Sequence, residues 1–314
     1  MFHGRTTIAF RDTLKALVRD LRRRWATTPQ AANDVPRSPA ELRPLTRIVL
    51  TEEVNRTLFA EYAAHRATER GHEEIGWALL GVRTADEATV MATLPAGEHR
   101  EAGSAHVRFN PLAQELGTRI LRQGNRQLTM LGIVHTHPGS MRHPSDGDYR
   151  GDIEWVEGLR GREGVFAIGT ADAAGNDSWM SALHVQADGA LAFTWYSLQS
   201  GARNYQPLPV KNIPGADRAA PLRAVWTELE TQAGRLLRLA GQLVRVQFDV
   251  IEGSTKAALV CDVPLPDQGR VIRVVMEGKD VRYLLIDGEQ VQMAQFRDDR
   301  VDRGVFAMLA ELCN

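Results

Sequence analysis

A histidine-rich stretch at residues 135–148 constrains the fold of this chain more than any other feature of its sequence. It follows the short apolar run of residues 131–134, and a partly β-branched run of this length is typical of a buried strand. His135 and His137 lie two positions apart at the end of the run, so strand geometry turns both imidazoles to the same side. The sequence therefore predicts a strand that ends in two histidines.

A carboxylate follows the two histidines after a turn. A Pro-Gly pair directly after His137 ends the strand, and Ser145 is a good N-cap for a helix. Asp148 then lies in the first turn of the predicted helix, and the turn folds its carboxylate back towards the imidazoles. Two imidazole nitrogens and one carboxylate oxygen are a ligand set that holds a catalytic zinc, with the fourth position open to water.

The length and composition are those of a globular protein with more than one core. A chain of 314 residues favours two domains, and 43% hydrophobic with 25% charged residues is ordinary. The net charge of −1 gives no electrostatic reason to expect a nucleic-acid partner. The cysteine count, Cys261 and Cys313, excludes a disulfide-dense scaffold, and no apolar run approaches the roughly 20 residues of a membrane span. We therefore expect a cytoplasmic protein.

Residues 1–45 are predicted to form a basic amphipathic helix and a linker. Apolar residues recur at helical spacing within residues 8–25, and arginines and a lysine occupy the other face. Such a helix either packs on its own protein with a solvated basic face or binds a membrane surface or an acidic partner. The packed helix is the more ordinary interpretation. Residues 27–44 have the Pro, Ala, Asn and Ser content of a linker.

Residues 46–200 predict an α/β domain in which helices flank a sheet. Helical spacing of apolar residues predicts helices at residues 52–68, 111–122 and 148–161. Short apolar or alternating runs predict strands at residues 47–51, 75–82, 88–94, 127–135 and 165–169, and a hairpin at residues 179–185 and 191–196.

Residues 201–218 predict a second linker, and residues 219–314 predict an α+β accessory domain. The accessory domain is expected to consist of a helix at residues 221–242, strands at 243–251, 257–263, 271–276 and 281–286, and a closing helix at 301–312. We expect this domain to bind the substrate or a partner enzyme.

The spacing within residues 135–148, His-x-His-Pro, six residues and Ser-x-x-Asp, resembles the signature of the JAMM metalloproteases, the MPN-plus or Prok-JAB family. Those enzymes also carry an upstream glutamate in a pattern close to Glu-x-Gly-Gly-x-Leu-x-Gly. Residues 74–81 match that pattern except at Trp77, which replaces the second glycine. The resemblance covers roughly residues 46–200 and implies the JAB/MPN (cytidine-deaminase-like) fold, a mixed sheet flanked by helices.

The resemblance also implies a role for each matching residue. His135, His137 and Asp148 correspond to the three protein ligands of one zinc ion with a bound water. Glu74 corresponds to the general base that takes a proton from that water and hands it to the leaving amine. Ser145 corresponds to the donor that stabilises the oxyanion.

Family members most often cleave an isopeptide or peptide bond after the C-terminal glycine of ubiquitin or a ubiquitin-like protein. The resemblance therefore implies deconjugation or maturation of such a modifier, with its activating and conjugating enzymes as further partners. Bacterial relatives of this short form occur with ubiquitin-like conjugation systems, including antiviral ones. Two other functions stay open: peptidase or amidase activity on an unrelated peptide or small substrate, and a non-catalytic MPN scaffold.

Three assignments near the motif stay open on sequence alone. Glu73 adjoins Glu74, and one of them faces the site because adjacent strand residues point to opposite sides; the distance to Gly81 favours Glu74. His143 is either a fourth ligand or, more ordinarily, a surface histidine near the cleft. Arg142 either contacts the substrate or is solvated.

Overall fold

The structure is a computed structural model that describes residues 41–98, 101–103, 107–173, 178–252, 256–266 and 269–312. It divides into two compact units, one comprising Ala40–Ala220 and the other including residues 221–314. The helix predicted at residues 8–25 lies outside the described residues.

The first unit is built on one mixed sheet. Its helices are α1 (Glu52–Arg66), α2 (Pro111–Gly124) and α3 (Asp146–Val156). Its strands are β1 (Arg47–Thr51), β2 (Gly76–Arg83), β3 (Glu87–Pro95), β4 (Glu101–Ala102), β5 (Val107–Arg108), β6 (Thr129–Thr136), β7 (Glu163–Thr170), β8 (Val185–Asp188), β9 (Leu191–Gln199), β10 (Gln206–Pro207) and β11 (Val210–Ile213). Among the described residues, nine strands form the sheet in the order β10-β9-β7-β6-β2-β3-β1-β11, with β8 paired to β9; β4 and β5 form a separate pair.

Strand β6 lies inside this sheet with a paired strand on each side. It runs antiparallel to β2, where Gly76 pairs with His135, and parallel to β7, where His135 pairs with Ile168. A strand that is hydrogen-bonded on both sides and covered on both faces requires apolar residues throughout, which explains the run at residues 131–134. The predicted buried strand that ends in the histidines is confirmed.

One face of the sheet packs on α1. Val54, Leu58 and Phe59 of the helix share an apolar cluster with the strand residues Trp77 and Trp195. These helix residues follow the i, i+4 spacing of an amphipathic helix. Burial of each such side chain stabilises the fold by about 1.5–3 kcal/mol.

The opposite face packs on α3. Val156 of the helix lies in an apolar cluster with Phe166 of β7, and Ile133 of β6 packs against that cluster. Because side chains alternate along β6, His135 projects to this same face, whereas Val134 projects to the α1 face. The sheet therefore presents its histidines towards the helix that carries Asp148.

The second unit contains an antiparallel sheet and helices. The helices are α4 (Ala220–Arg223), which spans the unit boundary, α5 (Trp226–Gln242) and α6 (Val301–Leu312), and the strands are β12 (Gln247–Glu252), β13 (Ala257–Pro264), β14 (Arg270–Glu277), β15 (Asp280–Asp287) and β16 (Gln290–Met293). The strands follow one another in chain order across the sheet and each pairs antiparallel with the next, which makes the sheet a meander. None of the helices in the described ranges is long and apolar enough to cross a membrane.

Two predicted elements differ from the structure. The strand predicted at residues 179–185 is wrong, because the segment starts with a 3₁₀ helix, Ser178–Ser181, and the strand that pairs with β9 begins at Val185. Periodicity cannot separate strand from helix in so short an apolar run. The single helix predicted at residues 221–242 is divided in two, because the backbone of Val225 is not helical.

Two edge strands come from residues 201–218, where the sequence predicts a linker. Strands β10 and β11 lie at opposite edges of the first unit's sheet, and β11 pairs in parallel with β1. Pro207 lies in β10, and an edge strand tolerates a proline because one side of its backbone needs no partner.

Gly132 is required where β6 pairs with β7. A Cβ added at Gly132 would lie 1.6 Å from the carbonyl oxygen of Val165, which belongs to the paired strand and cannot move away without breaking the ladder. We therefore expect Gly132→Ala to lower the free energy of unfolding by about 3 kcal/mol or more, measured by urea denaturation.

Gly151→Ala is the matched control for this substitution. Gly151 is exposed in α3, and a Cβ added there meets nothing within 4 Å. Alanine at this helical position should raise the free energy of unfolding by up to about 1 kcal/mol. Equal urea midpoints for the two variants would contradict the packing described for Gly132.

Candidate metal centre

The end of β6 sets the positions of the two histidines. Thr136 N donates to Ile75 O at 2.9 Å and His137 N donates to Gly169 O at 2.8 Å, so the backbone is held from both sides. The Nε2 atoms of His135 and His137 lie 3.2 Å apart, and both side chains are buried. Both imidazoles point to the same side, as strand geometry requires.

Helix α3 begins directly after its N-cap, Ser145. The hydroxyl of Ser145 accepts a hydrogen bond from Asp148 N at 3.2 Å, and Asp148 Oδ2 accepts one from Ser145 N. This reciprocal pair is a capping box, which satisfies two backbone amides at the start of the helix. It also fixes the orientation of the Asp148 carboxylate, which has lone pairs left for other partners.

His135, His137 and Asp148 bring three ligand atoms together. Asp148 Oδ1 lies 3.2 Å from His135 Nε2, and Asp148 Oδ2 lies 3.5 Å from His137 Nε2. One ligand atom from each of the three residues lies within 4.8 Å of the other two, which is close enough for the three side chains to hold one metal ion. In the part of the chain that the structure describes, this is the one group of three or more side chains that could hold a metal ion.

The other ring nitrogen of His137 is already engaged. Its Nδ1 lies 2.7 Å from the carbonyl oxygen of Met141. Because a carbonyl can only accept, Nδ1 carries the hydrogen and donates it. This bond fixes the ring and leaves the Nε2 lone pair directed at the cluster, an arrangement typical of metal-binding histidines.

The cluster attracts positive charge. Burial disfavours ionisation of Asp148, but the hydrogen bonds from His135 and His137 outweigh it and hold the pKa of that carboxyl well below its usual value. Burial acts to lower the pKa of His137, yet the hydrogen bonds with Asp148 and with the Met141 carbonyl raise it above its usual value. The negative charge of this cluster therefore favours the binding of either a proton or a metal cation.

Glu74 lies two residues before the first residue of β2 and across from His137. The pairing of Gly76 with His135, continued by two residues along each chain, places these two side chains opposite one another on the same face. Glu74 is only 3% exposed, and its charge contributes to the raised pKa of His137. The structure thus brings a buried carboxylate beside the three ligand atoms.

Glu73 is engaged away from the cluster. Its Oε2 accepts from Arg70 Nε at 2.7 Å and lies 2.6 Å from Arg70 Nη2, and its carbonyl oxygen contacts His65. Of the two adjacent glutamates, Glu74 is therefore the one at the cluster.

The loop between β6 and α3 is hydrogen-bonded to β9 through Tyr196. The Tyr196 hydroxyl donates to the Arg142 carbonyl at 2.9 Å and lies 2.8 Å from His143 Nδ1. His143 therefore contacts Tyr196 of β9, and it does not belong to the group of metal-binding side chains.

The Arg142 side chain is held by protein groups. Its Nη2 lies 2.5 Å from an oxygen of Asp172, and its guanidinium carbon lies 3.7 Å from the centroid of the Trp179 ring. An ion pair and a cation–π contact with protein groups are sufficient to explain the position of the Arg142 side chain, so no contact with a substrate is needed to explain it. The structure therefore supports a role of Arg142 in ordering the loop.

Sequence reasoning missed Asp152, one turn after Asp148 on the same face of α3. Asp152 is 8% exposed, and its Oδ2 accepts a hydrogen bond from the Tyr205 hydroxyl at 2.8 Å. Burial raises the pKa of Asp152 to about 6, although the Tyr205 bond and the nearby His135 act to lower it. The i, i+4 spacing of the two aspartates is the sequence signal that points to a shared face.

Comparisons with known proteins cover part of the chain. A family model described as prokaryotic homologs of the JAB domain matches residues 55–182. No curated protein matches the sequence. Among solved structures, the solution structure of protein DSY2949 from Desulfitobacterium hafniense aligns with 16% sequence identity and a TM-score of 0.38, covering 54% of this chain and 94% of that chain. The residues matched by the family model include Glu74 and the three ligand-bearing side chains.

The buried carboxyl of Asp152 should make the stability of the metal-free protein depend on pH. Its pKa is about 6 in the folded state, above the ordinary value of 3.8 that applies to the unfolded chain, so the folded state holds the proton more tightly. The stability contributed by protonated Asp152 is present below about pH 4 and is lost as the pH rises through 6.

We therefore expect Asp152→Asn to change little at pH 4 and to raise the free energy of unfolding by roughly 3 kcal/mol at pH 8. Urea denaturation of the chelator-treated protein at both pH values measures this difference. Comparing the two proteins at each pH cancels the titration of all other groups. A difference that is the same at pH 4 and pH 8 would contradict the raised pKa.

Proposed function

We propose that this chain is a zinc-dependent peptidase or isopeptidase, a proposal supported by the match of residues 55–182 to a family model of prokaryotic homologs of the JAB domain. We propose further that it hydrolyses the bond after the C-terminal glycine of a ubiquitin or ubiquitin-like modifier, during deconjugation or precursor processing. The observation that carries the proposal is the set of three side chains whose ligand atoms lie within 4.8 Å of one another, with the buried carboxylate of Glu74 near His137.

His135, His137 and Asp148 are the residues that would hold the zinc ion. When bound, zinc polarises the scissile carbonyl and lowers the pKa of a water molecule to about 7. The bond from His137 Nδ1 to the Met141 carbonyl places the hydrogen of the neutral ring on Nδ1 and leaves Nε2 as the ligand atom, and the capping box orients Asp148.

We assign to Glu74 the role of general base. Its buried carboxylate lies across from His137, next to the ligand atoms, where it can accept a proton from the attacking water. The same carboxyl can then deliver this proton to the nitrogen of the leaving amine, so that the C–N bond breaks as the carboxylate of the first product forms.

Ser145 can both cap the helix and stabilise the oxyanion. Its oxygen accepts the hydrogen bond from Asp148 N, but a hydroxyl that accepts still has its own hydrogen to donate. A donor aimed at the negative charge that develops on the carbonyl oxygen contributes about 3 kcal/mol to the transition state.

The substrate class is proposed from the resemblance of the motif to JAMM enzymes that act on ubiquitin-like proteins. The test uses the purified full chain with a ubiquitin-like protein fused through its C-terminal glycine to a reporter, beside an unrelated linker peptide of equal length. We expect cleavage directly after the glycine, identified by mass, with loss of cleavage in 1,10-phenanthroline and recovery on adding zinc. Chelator-insensitive cleavage would exclude the zinc mechanism, and cleavage of only the unrelated peptide would exclude the modifier as substrate.

Glu74→Gln should lower kcat by about 10²–10⁴-fold while zinc stays bound, because the amide cannot accept the proton. Glu73→Gln is the matched control: it is the adjacent residue, its carboxylate pairs with Arg70, and we expect kcat to change less than about threefold. Zinc content is measured alongside turnover. Equal loss of kcat in both variants would rule out Glu74 as the base, and a wild-type chain that binds zinc but cleaves no substrate would support a scaffold.

Ser145→Ala should lower kcat by about 10²–10³-fold through loss of the oxyanion donor. The same change removes the cap of α3, at about 1 kcal/mol of stability. Asn110→Ala is a control for the cap alone, because the Asn110 side chain accepts from Ala113 N at the start of α2. If both variants lose similar stability and keep wild-type kcat, Ser145 is only a cap.

A further inference from the structure

Helix α3 packs on the sheet through apolar side chains and is joined to the segment after β9 by hydrogen bonds. Its buried residues are Asp152 and Val156, and Val156 belongs to an apolar cluster against which Tyr149 and Ile153 also pack. The ligand Asp148 is in the first turn, where Asp146 and Gly147 are exposed. Apolar packing is not directional, so the exact position of the ligand side chain depends on directional contacts as well.

Two tyrosine hydroxyls supply these contacts. Tyr205 OH donates to Asp152 Oδ2 at 2.8 Å, and Tyr149 OH donates to the carbonyl oxygen of Ala202 at 2.9 Å. The bonds run in opposite directions, one from the segment after β9 to the helix and one from the helix to that segment. Together they join the first two turns of α3 to residues 202–205 at two points.

The Tyr205 ring is itself held in place. Its centroid lies 5.6 Å from that of Phe166, 6.2 Å from that of Tyr196 and 6.3 Å from that of Tyr149. Phe166 and Tyr196 are buried on β7 and β9, so the ring rests on the central sheet. A hydroxyl on a ring held from three sides is a fixed donor.

We propose that Tyr205, Asp152 and Tyr149 are positioning residues that fix Asp148 at ligand distance from His135 and His137. This inference rests on the proposed function, since it takes those three side chains as the zinc ligands. The two histidines are fixed by the sheet, whereas Asp148 is carried by the helix. The contacts from Tyr205 and Tyr149 join the helix to the sheet, and through it the third ligand to the other two.

The geometry makes this coupling direct. Asp148 and Asp152 are four residues apart, about one turn and 6 Å along the helix axis, so a shift at one is transmitted to the other. Metal–ligand distances tolerate deviations of only about 0.2 Å. A small displacement of the helix start would therefore weaken binding while the fold remains intact.

Tyr205→Phe tests this coupling because it removes one hydroxyl and keeps the ring. We expect the zinc dissociation constant, measured by competition with a chromophoric chelator, to rise about 10–100-fold. We also expect the visible absorption bands of the cobalt-substituted protein to shift, because they report the ligand geometry. Tyr149→Phe should act in the same direction and serves if Tyr205→Phe does not fold.

Tyr62→Phe is the matched control. The Tyr62 ring is buried in α1, and its hydroxyl has no hydrogen-bond partner among the described residues. Its removal should leave the zinc dissociation constant and the cobalt spectrum unchanged. A purely structural role of Tyr205 would lower the stability of the metal-free protein but leave both metal readouts at wild-type values, and that result would overturn the proposal.

The same measurements separate this inference from the proposed function. If the wild-type chain binds no zinc, the proposed function fails, and this inference fails with it. If the wild-type chain binds zinc and cleaves its substrate while Tyr205→Phe and Tyr149→Phe bind zinc equally well, only the positioning role fails.

Discussion

The rest of the site depends on the Asp148 carboxylate. This carboxylate closes the capping box with Ser145 and at the same time lies within 3.5 Å of both histidine Nε2 atoms. The unpaired amides and the dipole of a helix N-terminus stabilise a negative charge there, which offsets the cost of placing a carboxylate in a largely buried cluster. Formation of the first turn of α3 therefore also orients the third ligand side chain.

The other residues of the site depend on strand pairing. Glu74 and His137 come from neighbouring chain segments whose separation is set by the register of β2 on β6. A slip of one residue would turn either side chain to the opposite face of the sheet, towards α1. The close approach of β7 at Gly132 holds β6 in position from its other side. The sheet thus fixes the positions of Glu74 and the two histidines. Asp148 comes from α3, whose position relative to the sheet is fixed by other contacts.

The sequence predicted the contacts between residues that are close together in the chain. It did not predict the contacts between segments that are far apart in the chain. Alternation along a strand and a cap at a helix start were sufficient to group His135, His137 and Asp148. The bond between Asp152 and Tyr205 joins residues 53 positions apart, and no periodicity indicates where the segment after β9 meets α3. For the same reason, the sequence of residues 201–218 predicts a linker although this segment adds both edge strands to the sheet. The wrong prediction of a strand near Trp179 has a different cause. In so short an apolar run, hydrophobic periodicity cannot separate a strand from a helix.

The charges of the site differ from those of the whole chain. The net charge of −1 suggests no preference for cations, yet Glu74, Asp148 and Asp152 place three carboxyl groups around two imidazoles. In the metal-free protein, the raised pKa values of His137 and Asp152 mean that protons partly neutralise this local excess. Metal ions bind the deprotonated ligands, so a divalent cation competes with these protons for the same negative charge. The local arrangement of carboxylates, which overall composition averages out, therefore gives this point of the fold the ligand set and the charge to hold a cation.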